Sequence, residues 1–453
     1  MKPASSDSQV TLNVPTSRWR LLQEMLAPLA VLDFRWLFVG QMVSTAGDMF
    51  YAVALPWLLL STGYTARELG IVLAAYGVPR VGTLLLGGLL SDRLGPRRVM
   101  LFADTTRVLL VGLIVLLVAL HAADLWRLSI VAAVMGACTG LFLPAYYAIT
   151  PEILPPASLQ AGNALNTLTL QLALFAGAGL AGVVVSRLNA SVALLVDACT
   201  FALSALTLML MRGGRSATGK LQTIERREAG DAQQVSQQIG TGNEGYLQCA
   251  EPAQTRFSAD ITFGQLVRQW RLLQVALFIV AIGNFLFNGT FEVALPTLAH
   301  NQLAAGASGY GLLLAAFGAG SLLGGLGAAL LGPMRHRGVF LLTLIACQAG
   351  WYACLPFAGG LAGAGVLIGC AGLTNSLLTV MAFTILQQQA PRHLLGRLMG
   401  TLMFASLGLY PFSVALAGLL TTRFGPVLLF PLSGAMMLIA AIFGWLQREV
   451  REL

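Results

Sequence analysis

The chain has 453 residues, 57% of them apolar and only 10% charged, with a mean hydropathy of +0.76. A water-soluble domain of this size needs a far more polar surface, so a soluble enzyme or binding module is excluded. The net charge of +8 is not the footprint of a nucleic-acid partner, because the basic residues are sorted by side rather than gathered in one patch.

A bilayer core of ~30 Å is crossed by ~20 apolar residues of helix. In chain order the pattern predicts spans near 34–60, 68–90, 99–120, 128–149, 162–187 and 191–211. Six more are predicted near 272–299, 308–331, 339–357, 361–386, 398–420 and 426–446. The reading is an all-α membrane protein of twelve transmembrane helices. It comprises a tail (1–33), a six-helix half (34–211), a polar central loop (212–270), a second half (271–447) and a short tail (448–453). Residues 18–30 and Phe263 to Trp270 read as short interfacial helices. The Gln- and Gly-rich remainder of the central loop reads as a linker without a core.

With the N-terminus placed inside, 21 basic residues fall on the cytoplasmic side, eight of them between positions 212 and 271. The outer loops keep only four: Arg67, Arg127, Arg187 and Arg423. This asymmetry predicts cytoplasmic termini. Residues 1–17 are polar and lack an apolar core segment, so no cleavable signal is expected. Six cysteines without a C-x-x-C pair read as reduced, small, buried thiols.

The halves echo each other. Leu73-Ala74-Ala75-Tyr76-Gly77 recurs as Leu314-Ala315-Ala316-Phe317-Gly318, and Val53-Ala54-Leu55-Pro56 as Val293-Ala294-Leu295-Pro296. Two matches in consecutive spans at nearly one offset predict a parallel six-helix repeat.

The most specific motif lies between the second and third spans, Gly87-Gly88-Leu89-Leu90-Ser91-Asp92-Arg93-Leu94-Gly95-Pro96-Arg97-Arg98. Its Gly88, Leu90, Asp92, Arg93, Gly95 and Arg97 resemble the loop motif of the major facilitator superfamily, with Pro96 in place of a basic residue. The second copy has decayed: Pro333 and Met334 fall opposite Asp92 and Arg93, leaving Arg335, His336 and Arg337 as its charge. Phe34-Arg35, Gly40-Gln41, Gly47-Asp48, Pro79-Arg80, Asp104-x-x-Arg107, Pro144-Ala145-Tyr146-Tyr147-Ala148, Pro151-Glu152 and Gly396-Arg397 extend the resemblance to the superfamily's bacterial macrolide and siderophore exporters. The resemblance implies a rocker-switch exporter of small molecules driven by the proton gradient. It also implies that Asp92 meets the start of the eleventh helix, near Arg397, when the cytoplasmic side closes. Arg93 and Arg97 are expected to join that cluster.

Charges inside spans are costly and each requires a role. Asp48 lies about 21 Å into the first helix and Arg80 about 16 Å from the cytoplasmic side. They are expected to form a proton or substrate site, or else a fixed ion pair. Asp104 and Arg107 share a face of the third helix near its cytoplasmic end, and predict a gate ion pair with a snorkelling arginine. Asn284, Asn288 and Glu292 form a polar stripe on the seventh helix, Asn288 lying opposite Asp48 in the repeat, and Glu292 is the alternative proton site. Asp197 reads as structural.

Gly177-x-Gly179-x-x-Gly182 fits a dinucleotide fingerprint but lies inside an apolar span, so helix packing explains it better. The Gly177-Ala178 step lacks the Gly-Pro pair of the superfamily's antiporter members. Asn189-Ala190-Ser191 matters as a glycosylation acceptor only in a secretory-pathway protein. No metal spacing, phosphate loop or nucleophile triad is present, so neither cofactor, metal nor enzymatic activity is expected. The expected partners are a small-molecule substrate, protons and the lipid bilayer. The expected form is a monomer in a bacterial plasma membrane. The rival readings are a proton-independent mover of lipid, an importer of a small solute, and a non-transporting sensor.

Overall fold

The computed structural model describes residues 26–155, 158–211, 263–303, 305–331, 336–389 and 394–451. Among these, twelve helices are long and apolar enough to cross a membrane, and no strand occurs. They are α1 (Leu32–Ser61), α2 (Ala66–Leu94), α3 (Pro96–Ala119), α4 (Leu125–Ile153), α5 (Ala161–Arg187) and α6 (Ala190–Leu210). Then follow α7 (Arg271–Asn301), α8 (Gly306–Ala328), α9 (Arg337–Phe357), α10 (Leu361–Gln389), α11 (Arg397–Phe424) and α12 (Pro426–Leu446). Ala27–Ala30 is a 3-10 turn and Phe263–Gln269 a short helix. Residues 18–25 of the first expected interfacial helix, the central segment 212–262 and Pro333, Met334 and Arg335 lie outside the described residues.

Local chemistry sets the helix ends. Thr65 and Glu68 form a reciprocal capping box at α2, each accepting the other's backbone N–H. Asp124 caps α4 and Asn189 caps α6, accepting from Arg127 N and Val192 N at 2.8 Å each. Asn189-Ala190-Ser191 is thus a helix start. In the α2–α3 hairpin, Gly95 has a φ of +85°, a left-handed conformation that favours glycine. Pro96 follows as the first residue of α3, where its missing N–H costs nothing, which accounts for the departure from the motif.

The helices pack as two groups of six. In the first, α2 packs on α4, α1 on α6, and α3 on both α4 and α6; in the second, α8 packs on α10, α9 on α10 and α12, and α7 on α11 and α12. Twelve crossings return the chain to its starting side, here called the hairpin face because it carries Asp92; the other is the far face. α5 and α7 each contain a π-helical turn, Ala173–Gly177 and Thr290–Ala294.

The halves meet along two glycine-lined seams, α2 on α11 and α5 on α8, both toward the far face. A Cβ built on Gly70 would stand 2.7 Å from Val414 O and 3.1 Å from Gly418 Cα. One built on Gly182 would stand 2.8 Å from Ala307 O and 2.9 Å from Gly311 Cα. Gly182 and Gly177, the latter against Ala46 and Met49, show the fingerprint-like glycines to be packing residues. The repeated Gly77 and Gly318 occupy equivalent places, Gly77 under the Tyr410 ring and Gly318 against Leu174 and Phe175. Two further links close the far face: Arg67 N donates to Thr422 Oγ1 at 2.9 Å, and the Trp57 and His300 rings lie 5.1 Å apart.

Toward the hairpin face these seams end. The nearest neighbours of Gly87 of α2 are Gly140 and Leu141 of its own half, and the start of α11 packs within the second half. The halves therefore enclose a cleft that opens on the hairpin face. One cysteine expectation is corrected. Only Cys138 of the five described cysteines is buried, while Cys199, Cys347 and Cys354 are exposed on helix surfaces. All five are free thiols.

Candidate functional site

Asp48 lies at the middle of α1, surrounded by protein yet exposed to water, which places it on the wall of the cleft. Its expected ion pair with Arg80 is not formed in this conformation: no contact within 4.0 Å joins them. Arg107 and Arg80 both lie within electrostatic reach of the Asp48 carboxylate.

Arg80 turns toward the other half. Its guanidinium carbon lies 5.6 Å from the Tyr76 ring centroid and 5.9 Å from that of Tyr410 on α11. Both distances are within the range of cation–π attraction. Its Nε is buried without a hydrogen bond. Tyr76 is held by a 3.1 Å bond from its hydroxyl to Thr139 Oγ1, and the two tyrosine rings meet edge to face. The Tyr410 hydroxyl donates to Glu292 Oε2, and the Glu292 carboxylate in turn acts on Arg80. Glu292 sits in the π-helical turn of α7, a distortion common at functional sites. Arg80, Tyr410 and Glu292 thus form a polar bridge between the halves beneath the closed seam.

Asp104 and Arg107 do pair, Oδ1 to Nη1 at 3.5 Å, as expected for residues sharing a face of α3. Asp104 is 0% and Arg107 4% exposed, so the arginine does not snorkel. The reason is aromatic packing: the guanidinium lies 4.7 Å from the Phe142 centroid and 5.1 Å from that of Phe201. Ser204 Oγ donates to Asp104 Oδ2 at 2.7 Å and accepts from Gln41 Nε2 at 3.4 Å. Asp197 is also fully buried, with no hydrogen bond to either carboxylate oxygen, in electrostatic reach of Asp48, Asp104 and Arg107. The first half therefore holds three carboxylates and one arginine in a single interior network.

The α7 polar stripe does not converge on one point. Asn284 Nδ2 returns to Val280 O at 2.9 Å and its side chain lines a cavity within the second half. The amide nitrogen of Asn288 is buried and unpartnered. Glu292 alone reaches the bridge.

At the hairpin, Asp92 and Arg93 are exposed, as is Arg397 at the start of α11. A Cβ on Gly88 meets nothing within 4 Å, so this glycine is not packed here. Arg97 behaves differently from its expected place beside Asp92. Its Nε donates to Leu208 O at 2.7 Å and its Nη2 to Met209 O at 2.9 Å, capping the last carbonyls of α6. The two residues should fail differently. Arg97→Ala is expected to lower stability by about 1 kcal/mol, read as an earlier thermal unfolding transition. Asp92→Asn is expected to leave unfolding unchanged and slow transport by roughly tenfold, the size of one lost interaction of about 1.4 kcal/mol in the closed hairpin face. Wild-type transport in Asp92→Asn would remove the hairpin carboxylate from the gate.

Sequence reasoning missed Tyr76, Tyr410 and Ser204. Ser204 lies seven residues after Asp197 on one helix face, a spacing that pointed to a shared interior. Nothing local to Tyr410 announced its bond to a residue 118 positions away.

Comparison with known proteins fits this geometry. The chain is 25% identical over 433 residues to the multidrug efflux pump Tap of Mycolicibacterium fortuitum, covering 94% of this chain and 97% of that protein. Two solved structures share the fold. A POT family transporter in complex with 5-aminolevulinic acid superposes with a TM-score of 0.67 at 14% identity, covering 92% of this chain and 95% of that one. The nucleoside transporter NupG gives 0.62 at 11% identity, covering 91% and 98%. The family model described as Major Facilitator Superfamily matches residues 37–409, from within α1 into α11, and the chain belongs to that superfamily of membrane transporters.

Proposed function

We propose that this protein exports amphipathic or hydrophobic small molecules by alternating access, in exchange for protons. The observation that carries the reading is the polar bridge between the halves: Arg80 of the first half sits against Tyr410, whose hydroxyl is bonded to Glu292. Opening the far face requires α2 to leave α11, which strips Arg80 of its partners on the second half. Asp48 then becomes its nearest accessible anion. A permanently charged arginine that exchanges one carboxylate neighbour for another changes the proton affinity of both, and this is what coupling requires. In the present conformation Asp48 opens to water on the hairpin face, where it can release a proton and admit a substrate. The name carried by the Mycolicibacterium relative supports efflux.

The asymmetry of basic residues supports a cytoplasmic hairpin face, and on that orientation this conformation is inward-open. A cysteine placed at Ala305 is expected to react with a membrane-impermeant reagent from outside, and one at Gly230 only after permeabilisation; the reverse pattern inverts the orientation. In proteoliposomes, a hydrophobic cationic dye is expected to move faster when a pH gradient is imposed, and slower when an ionophore collapses it. Movement indifferent to the gradient rules out antiport and favours a proton-independent lipid or solute carrier. Absence of movement for every compound that binds favours a sensor.

A further inference from the structure

The second half contains a partly open cavity of about 270 Å³ among α7, α9, α10, α11 and α12. None of Asp48, Arg80 and Glu292 lines it, so it does not include the bridge. Small residues create the space: Ala276, Gly283, Ala382 and Ala440 line the wall, and a Cβ added at Gly283 meets nothing within 4 Å. Leu342, Ile345, Leu378, Phe383 and Met437 supply an apolar surround. No acidic or basic side chain lines it.

The polar lining comprises three amides, Gln348, Asn284 and Asn375, from α9, α7 and α10, all near the middle of their helices, and two hydroxyls, Thr379 and Ser406, each donating to a backbone carbonyl of its own helix. Gln348 is 1% exposed, and neither its oxygen nor its nitrogen completes a hydrogen bond. The Tyr352 hydroxyl, one turn further along α9, lies beside the Gln348 amide and interacts with it. An unpaired buried amide is unfavourable and marks a place where a further polar group fits. Ligand pockets combine this kind of apolar wall with a few placed polar groups, at volumes from ~300 Å³ upward.

We propose that this cavity is a second small-molecule site, selective for uncharged, mainly apolar compounds bearing one carbonyl or hydroxyl group. The apolar body packs on α9, α10 and α12, and the polar group bonds the Gln348 amide. The absence of charge in the wall excludes cations, because an ion moved there has no partner to offset its desolvation. The protein thus divides its ligands by charge: ionised ones face the carboxylates of the cleft, and neutral ones enter the second half. This inference goes beyond the proton-coupled reading and does not depend on it.

Benzophenone tests it directly, being neutral, apolar, equipped with one ketone and photoreactive. Irradiation with the purified full-length protein in lipid nanodiscs, followed by peptide mass spectrometry, is expected to give saturable adducts at Met437 and Leu378. Gly283→Leu and Ala440→Phe fill the space, and each is expected to reduce those adducts at least tenfold while thermal unfolding stays unchanged. Gln348→Leu is expected to weaken saturation, and Leu323→Phe, on the outer surface of α8, to leave it intact. Adducts that persist in both filled variants, that never saturate, or that vanish when phospholipid is added in excess overturn the proposal, the last because an acyl chain then occupies the cavity. The assay needs neither gradient nor transport, so its failure is distinct from a failure of proton coupling.

Discussion

Asp48→Asn is expected to abolish gradient-driven transport while leaving substrate binding close to wild type. The substitution keeps the size and hydrogen-bonding outline of the side chain but removes its ability to gain and lose a proton. Asp48 is the cleft-exposed carboxylate among Asp48, Asp104 and Asp197; the other two are fully buried. A proton taken from one side of the membrane and delivered to the other must pass a group that each side's water can reach in turn. Initial rates of substrate movement in proteoliposomes with an imposed pH gradient are expected to fall by roughly two orders of magnitude, equivalent to about 2.7 kcal/mol. Downhill exchange of labelled for unlabelled substrate, which needs no proton, is expected to survive. Glu292→Gln serves as the parallel arm. If it stops gradient-driven transport and Asp48→Asn does not, the proton route runs through the bridge and Asp48 is a polar wall residue. If both are silent, coupling lies outside the residues assigned to it.

Gly70→Val is expected to leave the protein folded but unable to close its far face. The side chain would begin 2.7 Å from Val414 O and 3.1 Å from Gly418 Cα, both backbone atoms of α11 that no rotamer change can move away. Overpacking of this kind costs about 1–3 kcal/mol. Because the clash exists only with the seam closed, that cost falls on one conformation and shifts the balance roughly 5- to 150-fold toward the other. Transport is expected to drop by a similar factor. A cysteine in the cleft wall is expected to become reactive from the far side and protected from the hairpin side. Gly182→Val repeats the test on the α5–α8 seam. Unchanged cysteine reactivity in both variants would mean that the seams are not the moving contact.

What the sequence made legible depended on range. The twelve spans follow from local hydropathy, and the α2–α3 turn from a glycine whose left-handed conformation few other residues adopt comfortably. The repeat of Leu73–Gly77 at Leu314–Gly318 anticipated that the halves share a plan. It did not anticipate that both terminal glycines lie in the seams, because a contact across halves leaves no local pattern. Arg80 was found by its cost in a membrane helix, but its neighbours were misassigned. The carboxylate at matching depth in the membrane was Asp48, whereas the rings that hold Arg80 come from Tyr76 on its own helix and Tyr410, 330 residues further on. Arg107 was placed at the membrane edge by counting turns from the hairpin. Counting gives depth along the helix and says nothing about direction, and the aromatic pocket of Phe142 and Phe201 draws the side chain inward. Arg97 illustrates the same limit: a motif predicts that a charge matters, while the carbonyls it serves belong to α6.

The glycine seams set an energy scale for the working cycle. Contacts between backbones at small residues bring helices close without sinking bulky side chains into deep pockets, so separating them uncovers little that must find a new partner. A gap of a few kcal/mol between two such arrangements keeps the minor one populated at ~0.1–10%, with interconversion on the microsecond-to-millisecond scale typical of domain motions. One elementary charge crossing a membrane potential of 100 mV delivers ~2.3 kcal/mol. The driving force and the gap to be tipped are therefore of one size, so under the proposed coupling a single proton per turn would suffice to shift seams built on glycine.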